Sequence, residues 1–155
     1  RFSRAAREAA HGDTLSGAAW WRAPALMRPA SYIVVVRFDR DLPGDFRPPA
    51  MVAKPVRKVI ERLRGERYRF RVDHLPVGGA YGVDLWRPEQ VVRDSFTFAI
   101  PTDVAEGTYR IRIRIISHPH YPSLHLRDYF FEDDYLSGLD AGTLVVRRRG
   151  APGGP

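Results

Sequence analysis

Two stretches of the chain alternate arginine with a large apolar residue: Arg67-Tyr68-Arg69-Phe70-Arg71-Val72 and Arg110-Ile111-Arg112-Ile113-Arg114-Ile115. Side chains alternate faces along a strand. Each stretch is therefore expected to turn three apolar groups towards a core and three guanidiniums, Arg67, Arg69 and Arg71 or Arg110, Arg112 and Arg114, away from it. Two half-buried strands of this kind point to a β-rich domain, and 155 residues suffice for one domain with a real core. The absence of cysteine excludes disulfides, thiolate metal sites and cysteine nucleophiles. No run of 18 apolar residues is present, so no helical membrane span is expected. The chain opens on Arg1 with no signal-peptide pattern, which suggests a processed protein or a fragment of a longer one.

The net charge of +7 is unevenly spread. Residues 1–75 carry 16 Lys and Arg against 8 Asp and Glu, whereas residues 76–155 carry 9 against 10. Arginine supplies nearly all of the excess, since the only lysines are Lys54 and Lys58. Such a bias follows either from an arginine-rich coding preference or from an anionic partner: phosphate, an acidic glycan, a lipid headgroup or an acidic protein.

Along the chain, the Ala-rich stretch 1–12 reads as a short helix stopped at Gly12. Trp20 and Trp21 stand side by side. In a strand they would face opposite sides, so one of them is free to meet something other than the core. Residues 31–38, β-branched and apolar, read as a central strand. Residues 55–64 read as a helix, with Val56, Val59, Ile60 and Leu63 forming a stripe expected to pack on a sheet. Its other face carries Arg57, Lys58, Arg62 and Arg64, a pattern that can also bind membranes or acidic partners. The later part of Val91–Ile100 alternates as a strand ended by Pro101, and Gly142 to Arg149, with Thr143-Leu144-Val145-Val146, reads as a final strand. Between them, residues 117–142 form a long insertion rich in histidine, aromatics and acids. The implied organisation is an N-terminal extension at 1–30 with a docking role, a domain at 31–149 and a tail at 150–155.

The segment Asp103-Val104-Ala105-Glu106-Gly107-Thr108-Tyr109, an acidic turn followed by Gly-x-Tyr at the entrance of an alternating strand, resembles the tyrosine corner of immunoglobulin-like sandwiches. The wider block Leu85-Trp86-Arg87-Pro88, Val91-Val92-Arg93-Asp94, Ile100-Pro101 and Gly107-Thr108-Tyr109-Arg110 is similar to accessory β-sandwich domains of bacterial extracytoplasmic proteins. Such domains are appended to glycosyltransferase-like membrane proteins or to secreted polysaccharide enzymes. This resemblance implies a mainly β, immunoglobulin-like antiparallel sandwich, from which the packed helix at 55–64 and the long segment 117–142 depart. It also implies a periplasmic or extracellular location, with membrane association through a partner or parent chain. It brings no catalytic residues; Trp86 would cover a sandwich end.

Candidate chemistry is sparse. His118, His120 and His125 have the spacing of a metal site but lie among Pro119 and Pro122, and no second shell is recognisable. Glu132-Asp133-Asp134 and Asp140 lack the alternating ligand pattern of a calcium loop and suit a counter-charge for the arginines. Asp73, His74 and Asp128 are available for acid–base work, but no nucleophile motif or phosphate-cradling loop accompanies them. Tyr81, Trp86, Tyr121, Tyr129 and Tyr135 are candidates for stacking on sugar rings. Stacking on nucleic-acid bases is disfavoured, because aromatics and arginines that alternate along a strand face opposite sides. The expectation is therefore a non-catalytic accessory or assembly domain without cofactor. Its partner would be another protein or another part of the parent chain, reached through Trp20, Trp21 and the arginines. A carbohydrate-binding module is the first alternative and a metal-binding domain the second.

Overall fold

The computed structural model describes residues 7–23, 25–27, 32–43, 48–49, 52–117 and 138–149. Among these the chain is mainly β, with two sheets and one α-helix. Strands β1 (Arg7–Ala10), β2 (Thr14–Arg22) and β3 (Tyr32–Asp39) precede helix α1 (Ala53–Arg64). Strands β4 (Arg69–His74), β5 (Val91–Ala99), β6 (Gly107–Ser117) and β7 (Leu139–Arg147) follow it. The larger sheet runs β1-β7-β6-β3-β4 and the smaller one β2-β5. The inner faces pack Val34, Val36 and Phe38 of β3, Phe70 of β4, Ile111 and Ile113 of β6 and Leu144 and Val146 of β7 against Ala19 and Phe96 of the smaller sheet. Phe38 stacks on Phe70 with ring centroids 4.2 Å apart. Full burial of each such side chain stabilises the fold by about 1.5–3 kcal/mol.

The second arginine-alternating segment is strand throughout and the first is strand from Arg69 onward, with Phe70, Ile111 and Ile113 inside as their period requires. They are not neighbours: β3 lies between β4 and β6 and pairs antiparallel with both. All pairings among the described strands are antiparallel except β1 with β7, which is parallel. The expected antiparallel pairing therefore holds among the described strands apart from this one pair.

The helix expected over residues 1–12 is corrected for its described part, residues 7–12. Residues 7–10 pair with residues 144–147 of β7, and a partner distant in sequence overrides the local helix preference of alanine. Gly12, at φ 80, belongs to a tight corner instead of a helix end. There the Asp13 carboxylate accepts from the Ala10 amide at 2.8 Å, while Gly12 N–H donates to Ile100 O and Ile100 N–H to Asp13 O. This corner passes the chain from the larger sheet to the smaller. The stretch read as an N-terminal extension thus supplies two strands of the domain.

Helix α1 begins two residues earlier than its sequence signals suggest and ends as they do, at Gly65 with φ 66. Its orientation differs from expectation. Ala53 and Arg57 are buried, with Arg57 donating to the Arg40 carbonyl at 3.1 Å, and Ile60 packs on Leu42, Tyr68 and Ala105. Val59 and Leu63 are 57% and 81% exposed. The helix lies in the β3–β4 connection and rests, through a narrow edge of its circumference, on the connecting residues Arg40, Leu42, Tyr68 and Ala105 instead of on the sheet face. The expected insertion at 117–142 is shorter at both ends, since β6 runs to Ser117 and β7 begins at Leu139.

Candidate functional site

Tyr109 sits where β6 enters the core, fully buried, and its hydroxyl donates to the Ala105 carbonyl at 2.6 Å. The Arg67 carbonyl lies 3.3 Å from the same hydroxyl and also accepts from the Ala105 amide. Burial pushes the Tyr109 phenol up to about 12, so it stays a donor throughout the physiological range. This is the corner geometry expected from Gly107-Thr108-Tyr109, and it ties the β5–β6 crossover to the start of the second arginine stretch.

The arginines themselves do not make an open anionic-ligand site. Arg69 is buried and ion-paired with Asp39 of β3, its cross-strand neighbour, which corrects its placement on a solvent face. Arg67, just before β4, pairs with Asp103. Arg71 lies 3.3 Å from Asp73, and Arg110 donates to both Asp41 oxygens at 2.9 and 3.0 Å. Arg112 stands opposite Asp140 of β7. Arg114 is half-buried and holds its own interaction. Aspartates of adjacent strands and loops therefore supply most of the counter-charge. The outer face of β3 is itself covered: Val35, Arg37 and Asp39 are exposed by 0%, 4% and 6%. Arg37 lies between Arg71 and Arg112 in register, a row of like charges that sequence inspection missed because one arginine in an apolar strand gives no pattern.

The two adjacent tryptophans divide as their alternation requires. Trp21 faces inward, packed against both larger core clusters. Trp20 faces outward and is 39% exposed. Together with Arg93, its register partner on β5, it walls a groove of about 460 Å³ whose floor includes Ser16, Ala18, Ser95 and Thr97. Small side chains on this outer face keep the groove open. Beneath it Phe96 lies against Gly17, where an added Cβ would approach the ring within 2.7 Å. A tryptophan face, a guanidinium and several hydroxyls on a two-stranded sheet can grip a protein segment or a sugar ring. Arg93 could have been found from its position in the alternating run 91–99.

Trp86 is not part of any such surface. It is 2% exposed, packed with Ala23, Val83 and Val92, and its indole N–H donates to Tyr81 O at 3.3 Å. Tyr81 is tied to Leu85 O and Gln90 through its hydroxyl, both at 3.0 Å. Burial of the large indole removes Trp86 as a ligand platform.

A second polar cluster lies inside. Asp94, on the inward phase of β5, is fully buried. It accepts from Val77 N–H at 2.8 Å, meets His74 Nε2 at 2.9 Å and meets Trp21 Nε1 at 3.4 Å. Burial pushes its carboxyl up, but these hydrogen bonds outweigh burial and hold it below the usual carboxylate range. The imidazole stacks on Phe96, with centroids 4.5 Å apart, and its buried Nδ1 has no hydrogen-bond partner. Among the described residues no nucleophile is hydrogen-bonded to this imidazole. The pair anchors the turn Pro76–Gly79, where Val77 holds the unusual φ of 52. An acid on the apolar phase of an alternating strand was the signal for this cluster.

His118, His120, His125, Tyr121, Tyr129, Tyr135, Asp128 and Glu132-Asp133-Asp134 lie outside the described residues. Among the described residues no group of three or more His, Cys, Asp or Glu could hold a metal ion, and no helix is long and apolar enough to cross a membrane. No family model matches the chain, and comparison with curated proteins and with solved structures gives no significant match.

Proposed function

We propose that the chain is a non-catalytic accessory domain of the immunoglobulin-like sandwich type that works outside the bacterial cytoplasm. It docks against a protein partner or another part of its parent chain through the outer face of β2 and β5. The immunoglobulin-like reading is supported by the strand order, by the first strand joining the last in parallel, and by the Tyr109 corner. The extracytoplasmic reading rests on the resemblance carried by Leu85–Arg110. The docking reading is carried by one observation: Trp20 stands exposed beside Arg93 over a groove, whereas Trp21 and Trp86 face the core. Exposed tryptophan next to arginine is the composition of a contact hot spot.

The test is a photo-crosslinking residue placed at Ser95 in the groove, with Thr102 at the far end of β5 as control, in the native cellular setting. A protein adduct from Ser95 that disappears with Trp20→Ala and is absent from Thr102 supports docking. Equal labelling from both positions removes it. The carbohydrate reading keeps Trp20 as its anchor, since Trp86 is buried; binding to a glycan array abolished by Trp20→Ala, with no protein adduct, would establish it instead.

A further inference from the structure

Helix α1 presents an unused amphipathic surface. Val56, Val59 and Leu63 follow one another at i, i+3 and i+7, so they form one row along the helix, with Val52 at the N-cap position before it. Val52, Val59 and Leu63 are exposed by 41%, 57% and 81%, while the neighbouring face, with Ala53, Arg57 and Ile60, rests on the domain. The charges of α1 are Lys54, Arg57, Lys58, Arg62 and Arg64 against a single acid, Glu61. Glu61 is turned to the domain, where its carboxylate accepts from the Tyr68 amide at 2.9 Å. Arg62 and Arg64 meet no acidic partner among the described residues. Among the described residues, the exposed side of α1 therefore combines an apolar row with the charges of Arg62 and Arg64.

We propose that α1 is an interfacial anchor that lies on an anionic lipid surface. The Val52–Leu63 row enters the boundary between headgroups and acyl chains, and Arg62 and Arg64 contact the phosphates. A helix surface is convex and suits a planar boundary, and its uniform positive charge is complementary to anionic headgroups. Long basic side chains can extend from the helix to the headgroup level while their stems cover apolar surface. The chain's charge excess, confined to residues 1–75, includes this helix.

The absence of cysteine allows one environment-sensitive dye to be attached at Leu63→Cys in the full chain. The probe is phosphatidylcholine vesicles with and without phosphatidylglycerol. The chain should sediment with the anionic vesicles only, the dye should shift to the blue, and added salt should weaken binding. Val59→Glu with Leu63→Glu should reduce partitioning by at least about tenfold without lowering the melting temperature, because both positions are exposed. Arg62→Gln with Arg64→Gln changes charge alone and should weaken binding several-fold. The proposal is overturned if the chain ignores anionic vesicles, as it would if α1 docked on an acidic protein. It is equally overturned if the dye stays in water while the chain sediments, or if both substituted chains bind as the unsubstituted one does.

Discussion

Trp20 and Trp21 are consecutive residues of β2 that serve opposite sides of the smaller sheet: Trp21 reaches inward to Asp94, and Trp20 stands outside opposite Arg93. Loss of the outer indole should therefore leave stability nearly unchanged. Loss of the buried Trp86 should cost about 3–5 kcal/mol, the usual range for deleting a large aromatic from a core. Urea unfolding of Trp20→Ala and Trp86→Ala checks the contrast. Comparable destabilisation by both would place Trp20 in the core and end its use as a contact residue.

Asp94→Ala should destabilise the domain by about 3 kcal/mol or more, since it strands the Val77 amide and leaves His74 and Trp21 without their acceptor. Hydrogen exchange should speed up at Val77 first. If Val77 keeps its protection in the variant, the carboxylate does not hold the turn.

The same carboxylate sets a pH dependence. Its folded pKa lies below the ordinary 3.8, so on acidification the unfolded chain binds the proton first. The stabilisation from Asp94 ionisation is complete above 3.8 and is lost as pH falls through the lower folded value. Thermal melts from neutral to acid pH should show the stability gap between the native chain and Asp94→Asn closing in that acidic window. A gap that stays constant to the lowest pH would show that the charge is not what stabilises.

Removal of the Tyr109 hydroxyl as Tyr109→Phe should cost about 1–2 kcal/mol, because the Ala105 carbonyl loses its buried donor while packing is kept. Chemical denaturation measures it. No change in midpoint would mean that the corner is redundant with the Arg67–Ala105 backbone bond.

Asp39→Ala should destabilise by about 3–5 kcal/mol by leaving the Arg69 guanidinium buried without its counter-charge. Replacing both residues with apolar ones should recover most of that loss. A double variant as unstable as the single one would indicate that Arg69 has a second essential role.

The two arginine strands were legible because their period is local. Phe70, Ile111 and Ile113 alternate with arginine, and one face must be apolar for the strand to pack. The Tyr109 corner was legible because its spacing is short. The fate of the arginines was not, since Arg69 meets Asp39 only after thirty residues of chain return to the same sheet. The orientation of α1 was hidden for a related reason. Periodicity identifies Val56, Val59 and Leu63 as one face but not what that face touches, and a helix in a connection at the sheet's edge can leave it uncovered. The groove depended on β2, whose short, mixed residues Thr14–Arg22 become a strand only by pairing with β5.

The parallel pairing of β1 with β7 also has a mechanical consequence. A pull outward from Arg7 and outward from Arg147 drives the two strands past each other along their length. The hydrogen bonds between residues 7–10 and 144–147 are then loaded together in shear instead of opening one after another. Tension carried through this domain would meet its stiffest response at that clamp, while the β2–β5 groove, on the other sheet, stays outside the line of force.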